Sequence, residues 1–376
     1  MNRPRFHQPE HPMKFVGIDL HKKSITLCVR DASGRVLTRR RFHTADPERI
    51  VAFFRELGRF AFCVEATAAY EWLVQLLEPL AAKWVLVHPG KMRVIAESTE
   101  KSDRVDAEVL SEFLVLGKLP RAYRPTPRQR DHRTLARYRA KCRQTVTKLR
   151  CRIRHLLASY NADRPDLFGP EGREHLAGVG LTRADRFVVD QLLAEHDQGL
   201  EQLAAAKKEL QAFAAGGDDA EQQARAIATS VPGIGETIAE VALAELADVE
   251  RFGSIAAAGK YAGLVPGRRG SGDKVIELGI TKQGSRLLRW AMVQAAWQAV
   301  RHSARWRAVF EQIQRRRGAK RAIIAVARRL LVVLVSMLKS GQVYQPNEAE
   351  AVEQARKERL RRAKPARRRV RAAAAK

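Results

Sequence analysis

Strand and helix patterns alternate along the first part of the chain, and their order restricts the fold more than any other feature of the sequence. Three strand-like runs come first with no helical run between them, and a turn at 31–34 joins the second to the third. Helical and strand patterns then alternate. The expected strands are KFVGID, SITLCVRD, GRVLTRRRF, RFAFCVEAT and 83–87, and the expected helices cover 47–57 and 70–82. Because sequential elements tend to be spatial neighbours, this order predicts an α/β domain over residues 13–120.

Four acidic residues stand where such a domain would gather its strand ends. Asp19 ends the first strand and Glu65 the fourth, while Asp103 and Asp106 open a later helical pattern on one helix face. Three strands followed by alternating helices and strands is the layout of an RNase H-like domain, whose working crevice lies at the strand ends. Four carboxylates in one crevice require cations. Two Mg²⁺ ions about 3.5–4 Å apart would satisfy them and would suit phosphodiester chemistry.

Each of these acids also has a simpler interpretation. Asp103 and Asp106 would serve as the N-cap and N3 residues of a helix, where negative charge is favourable. Asp19 and Glu65, taken singly, are acids at strand ends that could face solvent. The four together, in this order on this layout, favour the metal site.

The charge of the chain is strongly positive and unevenly placed. Lys and Arg number 69 against 41 Asp and Glu, a net charge of +28, and the isoelectric point is about 10.7. Such an excess indicates a polyanionic partner, nucleic acid rather than membrane. After a linker at 117–127, a strongly basic helical pattern covers 128–160. A second helical pattern covers 176–213, and together they predict two long antiparallel helices or a coiled coil between protomers within 121–216. The basic residues predicted there to contact phosphates are Arg137, Lys141 and Arg150.

A third region, 217–342, opens with Ser-Val-Pro-Gly-Ile-Gly-Glu at 230–236. Pro-Gly-Ile-Gly between two helical patterns is typical of a helix-hairpin-helix. Its Gly233 and Gly235 would bring backbone N–H groups close to a phosphate without reading bases. The alternative is an ordinary tight turn between helices.

A glycine-rich basic segment, predicted as a loop, then carries Ser271 between two glycines, and a short strand is predicted after it. Glycine lets backbone approach a phosphate closely, and Arg268, Arg269 and Lys274 supply positive charge. A serine hydroxyl is nonetheless a poor nucleophile unless something activates it. A Ser-Gly pair in a loop is more often just a turn, and no G-x-S-x-G elbow is present. The residues alone leave the role of Ser271 open.

Helical patterns at 297–310 and 319–338 complete the third region, and a basic tail at 343–376 is expected to be disordered until bound. The four cysteines show no zinc-binding spacing, which favours a reducing compartment. The N-terminus has no apolar segment of the signal-peptide type, and the apolar stretch at 322–338 is too short to span a bilayer. We therefore expect a soluble cytoplasmic protein.

Several segments together resemble a known family. The segments are GIDLHKKSITLCV, CVEAT, KSDRVDAEVL, VPGIGETIAEVALAEL, FGSIAAAGKYAGLVP, GSGDK and TKQGSRLLRWAM. In this order, and over nearly the whole chain, they resemble the DEDD-type transposases of the insertion sequence 110 family, which are similar to bridge-RNA-guided serine recombinases. The resemblance implies a Holliday-junction-resolvase-like (RNase H-fold) domain, a helical coiled coil and a mostly helical C-terminal transposase domain.

The resemblance also implies roles for individual residues. Asp19, Glu65, Asp103 and Asp106 would bind Mg²⁺, and Ser271 would form a covalent phosphoserine link with a DNA strand. The protein would be a dimer or tetramer in which the acids of one protomer meet the serine of another, and a guide RNA would pair with donor and target DNA. The expected function is that of a transposase acting as a site-specific DNA recombinase.

Two other functions use the same residues differently. A structure-selective nuclease of the resolvase type would use the four acids with water as the nucleophile, and Ser271 would be only a loop residue. A non-catalytic protein would coat RNA or DNA with its basic helices.

Overall fold

The computed structural model describes residues 12–67, 69–95, 103–271 and 274–346, so the expected basic tail lies almost wholly outside the described residues. The chain divides into two compact units, with the boundary between Arg124 and Pro125. The first unit is a mixed α/β sheet domain and the second is mostly helical, which confirms this level of the predicted fold. Within the described ranges, no helix is both long and apolar enough to cross a membrane.

A five-stranded sheet with the strand order β3-β2-β1-β4-β5 forms the centre of the first unit. β1 is antiparallel to β2 and parallel to β4, β2 is antiparallel to β3, and β4 is parallel to β5. The strands are β1 (Lys14–Leu20), β2 (Ser24–Arg30), β3 (Val36–His43), β4 (Phe60–Glu65) and β5 (Lys83–Val87), and the helices are α1 (Pro47–Leu57), α2 (Tyr70–Leu77), α3 (Pro89–Ile95) and α4 (Asp103–Val115). The helix expected to reach residue 82 ends at Leu77, earlier than predicted.

Side chains alternate between the two faces of this sheet, and each face has its own helices. On one face, Val16, Ile18 and Val64 join a core with residues of α1 and α2. On the other face, Cys63 and Ala61 pack with residues of α4. Coverage on both sides explains why β4, FAFCVE, is almost wholly buried and reads as a continuous apolar run.

Gly17 sets how closely α4 approaches the sheet. A Cβ atom at Gly17 would lie 2.3 Å from the Ala107 carbonyl oxygen and 2.3 Å from the Ser111 backbone nitrogen. No side chain fits at that distance, so only glycine lets the helix backbone rest directly on β1.

In the described ranges of the second unit, 125–271 and 274–346, there are eleven elements, nine of them helices. They are α5 (Pro127–Ala158), α6 (Pro170–Gly178), α7 (Arg183–Ala215), α8 (Asp219–Ser230), α9 (Glu236–Leu246), α10 (Ile255–Tyr261), β6 (Pro266–Ser271), β7 (Lys274–Ile280), α11 (Arg286–His302), α12 (Ala304–Arg317) and α13 (Ala319–Ser340). A capping box at Thr126 and Gln129 starts α5. The long helices α5 and α7 pack through a leucine-rich cluster that includes Leu149, Ile153 and Leu192.

Two predictions of secondary structure in this unit were wrong. The glycine-rich basic segment was expected to be a loop followed by a short strand. The short strand is present as β7, but the expected loop around Ser271 instead forms β6, which pairs with β7 in an antiparallel hairpin. The helix expected over 297–310 is divided at Ser303, which ends α11 and caps the start of α12 by accepting a hydrogen bond from the Trp306 backbone.

The base of the β6–β7 hairpin is held between α10 and α11. Gly263 and Gly284 both have positive φ, at +64° and +75°. A Cβ atom at Gly284 would lie 2.0 Å from the Tyr261 carbonyl oxygen. The Ser285 backbone also donates a 2.9 Å hydrogen bond to that oxygen. Close backbone packing therefore fixes the base of the hairpin, where β6 begins and β7 ends, to the helical core.

A buried carboxylate joins three helices of the second unit. Glu245 on α9 is 1% exposed, and it accepts hydrogen bonds from Arg137 Nε at 2.7 Å and Nη2 at 3.0 Å. Its Oε2 atom also accepts a 3.0 Å hydrogen bond from Ser285 Oγ, at the N-cap of α11. Burial raises the pKa of Glu245, but the hydrogen bond and charge of Arg137 and the bond from Ser285 outweigh it and hold the pKa below 4.5.

Replacing Gly17 with alanine should displace α4 from the sheet. We expect Gly17→Ala to lower the free energy of unfolding of the protein by about 1–3 kcal/mol, because the new methyl group would overlap helix backbone rather than a mobile side chain. Urea denaturation followed by circular dichroism measures the change. Gly90→Ala is the control, since a Cβ there meets only His88 at ordinary contact distance. Equal stability of both variants would contradict the close approach of α4.

The Glu245 cluster should make folding sensitive to acid. Because its folded-state pKa is depressed, Glu245 contributes stability above pH 4.5 that is lost as the pH falls through and below that value. We expect Glu245→Gln to cost about 2 kcal/mol near neutral pH and to flatten the loss of stability on acidification. Chemical denaturation at a series of pH values tests this, with Glu209→Gln on the exposed surface of α7 as the control. A pH profile as steep as that of the wild type would refute the assignment.

Candidate functional site

Strand register brings Asp19 and Glu65 side by side. Ile18 in β1 is the partner of Val64 in the parallel strand β4, so the next residues along the two strands, Asp19 and Glu65, are at the same level. Both alternate away from the α1–α2 face and toward the face covered by α4. The sequence predicted each acid at the end of its strand: Glu65 is the last residue of β4, and Asp19 is the last residue but one of β1.

The same row of the sheet continues across β2 and β3. Thr26 is the register partner of Asp19, and Arg41 is the register partner of Thr26. These residues therefore share a face and level with the two acids. Neither Thr26 nor Arg41 was selected from the sequence. A bulge shifts the β2–β3 register between Val29 and Arg30, so counting from the turn at 31–34 would not have found the pairing of Thr26 with Arg41.

Helix α4 runs so that its first turn faces this row. Arg30, opposite Phe15, donates a 3.0 Å hydrogen bond to Ser111 Oγ. Arg39 of β3 pairs with Cys28 of β2, which in turn pairs with Gly17 of β1. Arg39 donates a 2.6 Å hydrogen bond to Glu108. The contacts therefore step toward the N-terminus of α4 as β1 runs toward Asp19. This direction places the start of the helix, where Asp103 and Asp106 lie, toward the end of the sheet that carries Asp19 and Glu65.

Asp19 and Glu65 are half-buried at this sheet end. The Oδ2 atom of Asp19 lies 2.9 Å from His21 Nε2, and His21 was not selected from the sequence. Burial raises the pKa of the neighbouring Cys63 thiol well above its usual range, and the negative charge of Glu65 adds to that effect. Cys63 thus stays a neutral thiol, and it donates a 3.4 Å hydrogen bond to the Leu110 carbonyl oxygen of α4.

The donor chemistry of this sheet end suits a hard divalent cation. Asp19 and Glu65 offer carboxylate oxygens, the ligands that Mg²⁺ prefers. The buried Thr26 Oγ1 atom, on the same row, has no hydrogen-bond partner among the described residues. Asp106 is exposed, and the side chain of Asp103 lies outside the described part of the structure. Among the side chains that are described, no three His, Cys, Asp or Glu residues are already gathered in a metal-holding cluster.

Ser271 lies in the second unit, at the last position of β6. Its register partner is Lys274, so Ser271 and Lys274 flank the tip of the β6–β7 hairpin. Arg268 and Arg269 precede it in β6, opposite Glu277 and Ile276. The side chains of Arg268, Arg269, Ser271 and Lys274 lie outside the described part of the chain. The backbone places the serine at the end of a two-stranded ribbon.

The two glycines of the turn between α8 and α9 differ in their surroundings. Gly233 has a φ of +85°, and a Cβ atom there would lie 2.2 Å from the Ala295 carbonyl oxygen of α11. Gly233 therefore permits close helix packing. Gly235 is the N-cap residue of α9, and a Cβ atom there would meet nothing within 4 Å.

The three basic residues predicted on α5 to contact phosphates also differ. Arg137 is held by Glu245, as described above. Arg150 donates a 3.0 Å hydrogen bond from Nε to His196 Nε2 and lies over the Phe168 ring at 5.0 Å. Lys141 is exposed on the helix surface. Arg137 and Arg150 thus have structural contacts within the unit that would compete with a phosphate.

Comparison with known proteins gives matches along most of the chain. A family model for transposases of the IS110 DEDD type matches residues 16–162, and the model described as "Transposase IS116/IS110/IS902 family" matches residues 225–311. The first match covers the sheet, α4 and all of α5, and the second covers the region from α8 into α12.

Curated relatives show the same likeness. The chain is similar to the transposase for insertion sequence element IS1111A of Coxiella burnetii, with 27% identity over 344 residues that cover 88% of this chain and 91% of the relative. It is also similar to the transposase for insertion sequence element IS1328 of Yersinia enterocolitica, with 24% identity covering 75% of this chain and 82% of the relative. These matches confirm the family resemblance seen in the sequence motifs, and the chain belongs to the IS110 family of transposases.

Proposed function

We propose that this protein is a site-specific DNA recombinase that cleaves and rejoins DNA strands during transposition of an insertion sequence. The observation that carries the proposal is the convergence at one sheet end: Asp19 and Glu65 share a row of neighbouring parallel strands, and α4 begins toward them. The strand order, with two antiparallel strands preceding a parallel β1-β4-β5 group, supports an RNase H-like domain. Membership of a DEDD transposase family, generally dependent on divalent metal, adds to this.

In the proposed site, the four acids hold the metal and orient the DNA phosphate. Asp19, Glu65, Asp103 and Asp106 would bind two Mg²⁺ ions, which would withdraw charge from the phosphate and help to ionise the nucleophile. Thr26 and Arg41 lie on the same row, where a hydroxyl and a guanidinium would suit a phosphate oxygen.

The covalent step would belong to Ser271. Its Oγ atom would form a bond to phosphorus while a phosphorus–oxygen ester bond of the DNA strand breaks, and the leaving hydroxyl would take up a proton. The same bonds would be exchanged in reverse when a second strand's hydroxyl attacks the phosphoserine. The energy of the ester is thereby kept, so strands are rejoined without an external energy source.

We place this chemistry in a homo-oligomer in the bacterial cytoplasm. The acids and Ser271 belong to different units of the chain, which suits a composite site in which one protomer's acids meet the serine of another. A guide RNA would select donor and target DNA by base pairing. The high positive charge of the chain supports a role for two polyanions.

The test of the chemical step is the capture of a protein–DNA adduct. Wild type, Ser271→Ala and Asp103→Ala are incubated with cognate DNA, guide RNA and Mg²⁺, and the products are separated on a denaturing gel. We expect an adduct with the wild type only. DNA hydrolysis by Ser271→Ala would instead identify a nuclease that uses water, and the absence of cleavage by every protein under competent conditions would identify a non-catalytic nucleic-acid-binding protein.

Metal binding is tested without the reaction. Since a ligand that binds only the folded protein raises its melting temperature, Mg²⁺ or Mn²⁺ should stabilise the wild type. The double variant Asp19→Asn/Glu65→Gln should lose that concentration-dependent shift. Glu56→Gln, which removes an exposed carboxylate from α1, should keep it. A shift retained by the double variant would remove the sheet end as the metal site.

A further inference from the structure

A groove with a cavity volume of about 880 Å³ lies between the base of the β6–β7 hairpin and helices α12 and α13. We call it the α13 groove. Pro266, Leu278 and Ile280 of the hairpin form one side, and Trp306, Val309 and Ile313 of α12 contribute to the floor. Leu278 is 52% exposed, so the hairpin presents apolar surface here that its own unit does not cover.

Helix α13 has two faces, and the groove is lined by the second. One face enters the core of the unit through pairs of buried residues such as Ala322 and Ile323. The groove face alternates cationic and aliphatic residues at a spacing of four, which aligns them in rows along the helix. The two rows are Lys320, Ile324, Arg328, Val332 and Arg321, Ala325, Arg329, Val333.

Among the described residues that line the groove, the charged side chains all have one sign. The six are Arg305, Arg317, Lys320, Arg321, Arg328 and Arg329. Such a surface repels the chain's own C-terminal segment, which is rich in arginine. It attracts a polyanion that also has apolar surface to bury.

One residue of the groove floor, Trp306, has a buried polar group without a hydrogen-bond partner among the described residues. Trp306 is 2% exposed, and its indole N–H has no acceptor among the described residues. A buried N–H without an acceptor costs about 1–3 kcal/mol. The Arg305 guanidinium lies 5.4 Å from the centre of the same ring and donates a 2.9 Å hydrogen bond to Tyr344 Oη, so one cation is already held beside the indole.

We propose that the α13 groove binds single-stranded DNA next to the point of strand cleavage. Basic grooves with apolar floors bind single strands by following the phosphates with cations while the bases lie on apolar or aromatic side chains. The inference rests on the proposed function, because the groove lies next to the point of strand cleavage only if Ser271 is the nucleophile.

The hairpin connects the groove to the proposed nucleophile. β6 begins at Pro266 in the groove wall and ends at Ser271. At the strand rise of about 3.4 Å per residue, this is a path of about 17 Å. A DNA strand lying in the groove would therefore leave it along the ribbon that ends in the serine. The groove would hold the unpaired flank of the strand under attack.

The test compares two charge reversals of equal size in the full-length protein. Arg321→Glu/Arg329→Glu changes exposed cations in the groove, and Arg315→Glu/Arg316→Glu changes exposed cations on α12 that do not line it. Fluorescence anisotropy measures binding of a labelled, non-self-complementary DNA oligonucleotide over a series of salt concentrations. The RNA strand of the same sequence, the DNA duplex and poly-glutamate serve as competitors, and melting curves confirm that each variant is folded.

We expect the groove variant to bind the DNA strand at least ~10-fold more weakly, with the slope of log K against log salt reduced by about 1.4, since each single-strand phosphate contact contributes about 0.7. The α12 variant should lose less than ~3-fold. Ile324→Ala should weaken binding without changing the salt slope, because it removes apolar contact and no charge.

Other outcomes would overturn the proposal. Equal losses in both reversals would show that only net charge matters, and equal competition by poly-glutamate would show that any polyanion binds. Stronger competition by RNA or duplex than by the DNA strand would assign the groove to those ligands, and a changed sedimentation coefficient with unchanged DNA binding would assign it to a second copy of the chain. The adduct assay on the same variants distinguishes failure of the groove proposal from failure of the proposed function. If the wild type forms the protein–DNA adduct and the groove variant binds the DNA strand normally, only the groove proposal is contradicted.

Discussion

The contact between Gly17 and the backbone of α4 determines the geometry of the first unit. Because no side chain separates them, the helix lies on β1 at backbone distance, and its direction follows from which of its turns meets the glycine. The turn that meets Gly17 contains Ala107, so the helix begins one turn earlier, on the side of Asp19. The strand ends that carry Asp19 and Glu65 and the start of α4 therefore lie toward the same end of the sheet, because of a close backbone contact in which none of these acids takes part.

Much of this arrangement could be predicted from the sequence because it depends on local patterns. Apolar runs that end in an acid gave the strands, and spacing gave the long helices. The strand β6, which carries Ser271, was missed because Gly-Arg-Arg-Gly-Ser lacks the apolar alternation by which strands are recognised. The position of the hairpin is fixed by backbone packing around Gly263 and Gly284. These two glycines are brought together by the fold and are not neighbours in the sequence.

Long-range pairing explains the remaining differences between expectation and structure. The basic run of α5 was interpreted as a surface for phosphates, yet Arg137 is bound to a carboxylate 108 residues away. No local sequence pattern around Arg137 predicts its ion pair with Glu245. Conversely, the sequence of α13 shows pairs of core residues alternating with pairs of groove-lining residues. The sequence does not show that the hairpin forms the opposite wall of the groove, so the second face could not be interpreted from it. Side-chain roles on a strongly basic chain thus depend on which cations the fold has already neutralised.

The anchored base of the β6–β7 ribbon has a mechanical consequence. A two-stranded ribbon fixed at one end acts as a lever, and its tip amplifies any tilt at its root. A rotation of about 5° at the glycines would carry a tip about 17 Å away through about 1.5 Å, and a displacement of about 1 Å is enough to change a reaction rate by two orders of magnitude. The stiffness of the joint formed by Tyr261 and Gly284 therefore governs how accurately the far end of the ribbon can be aimed.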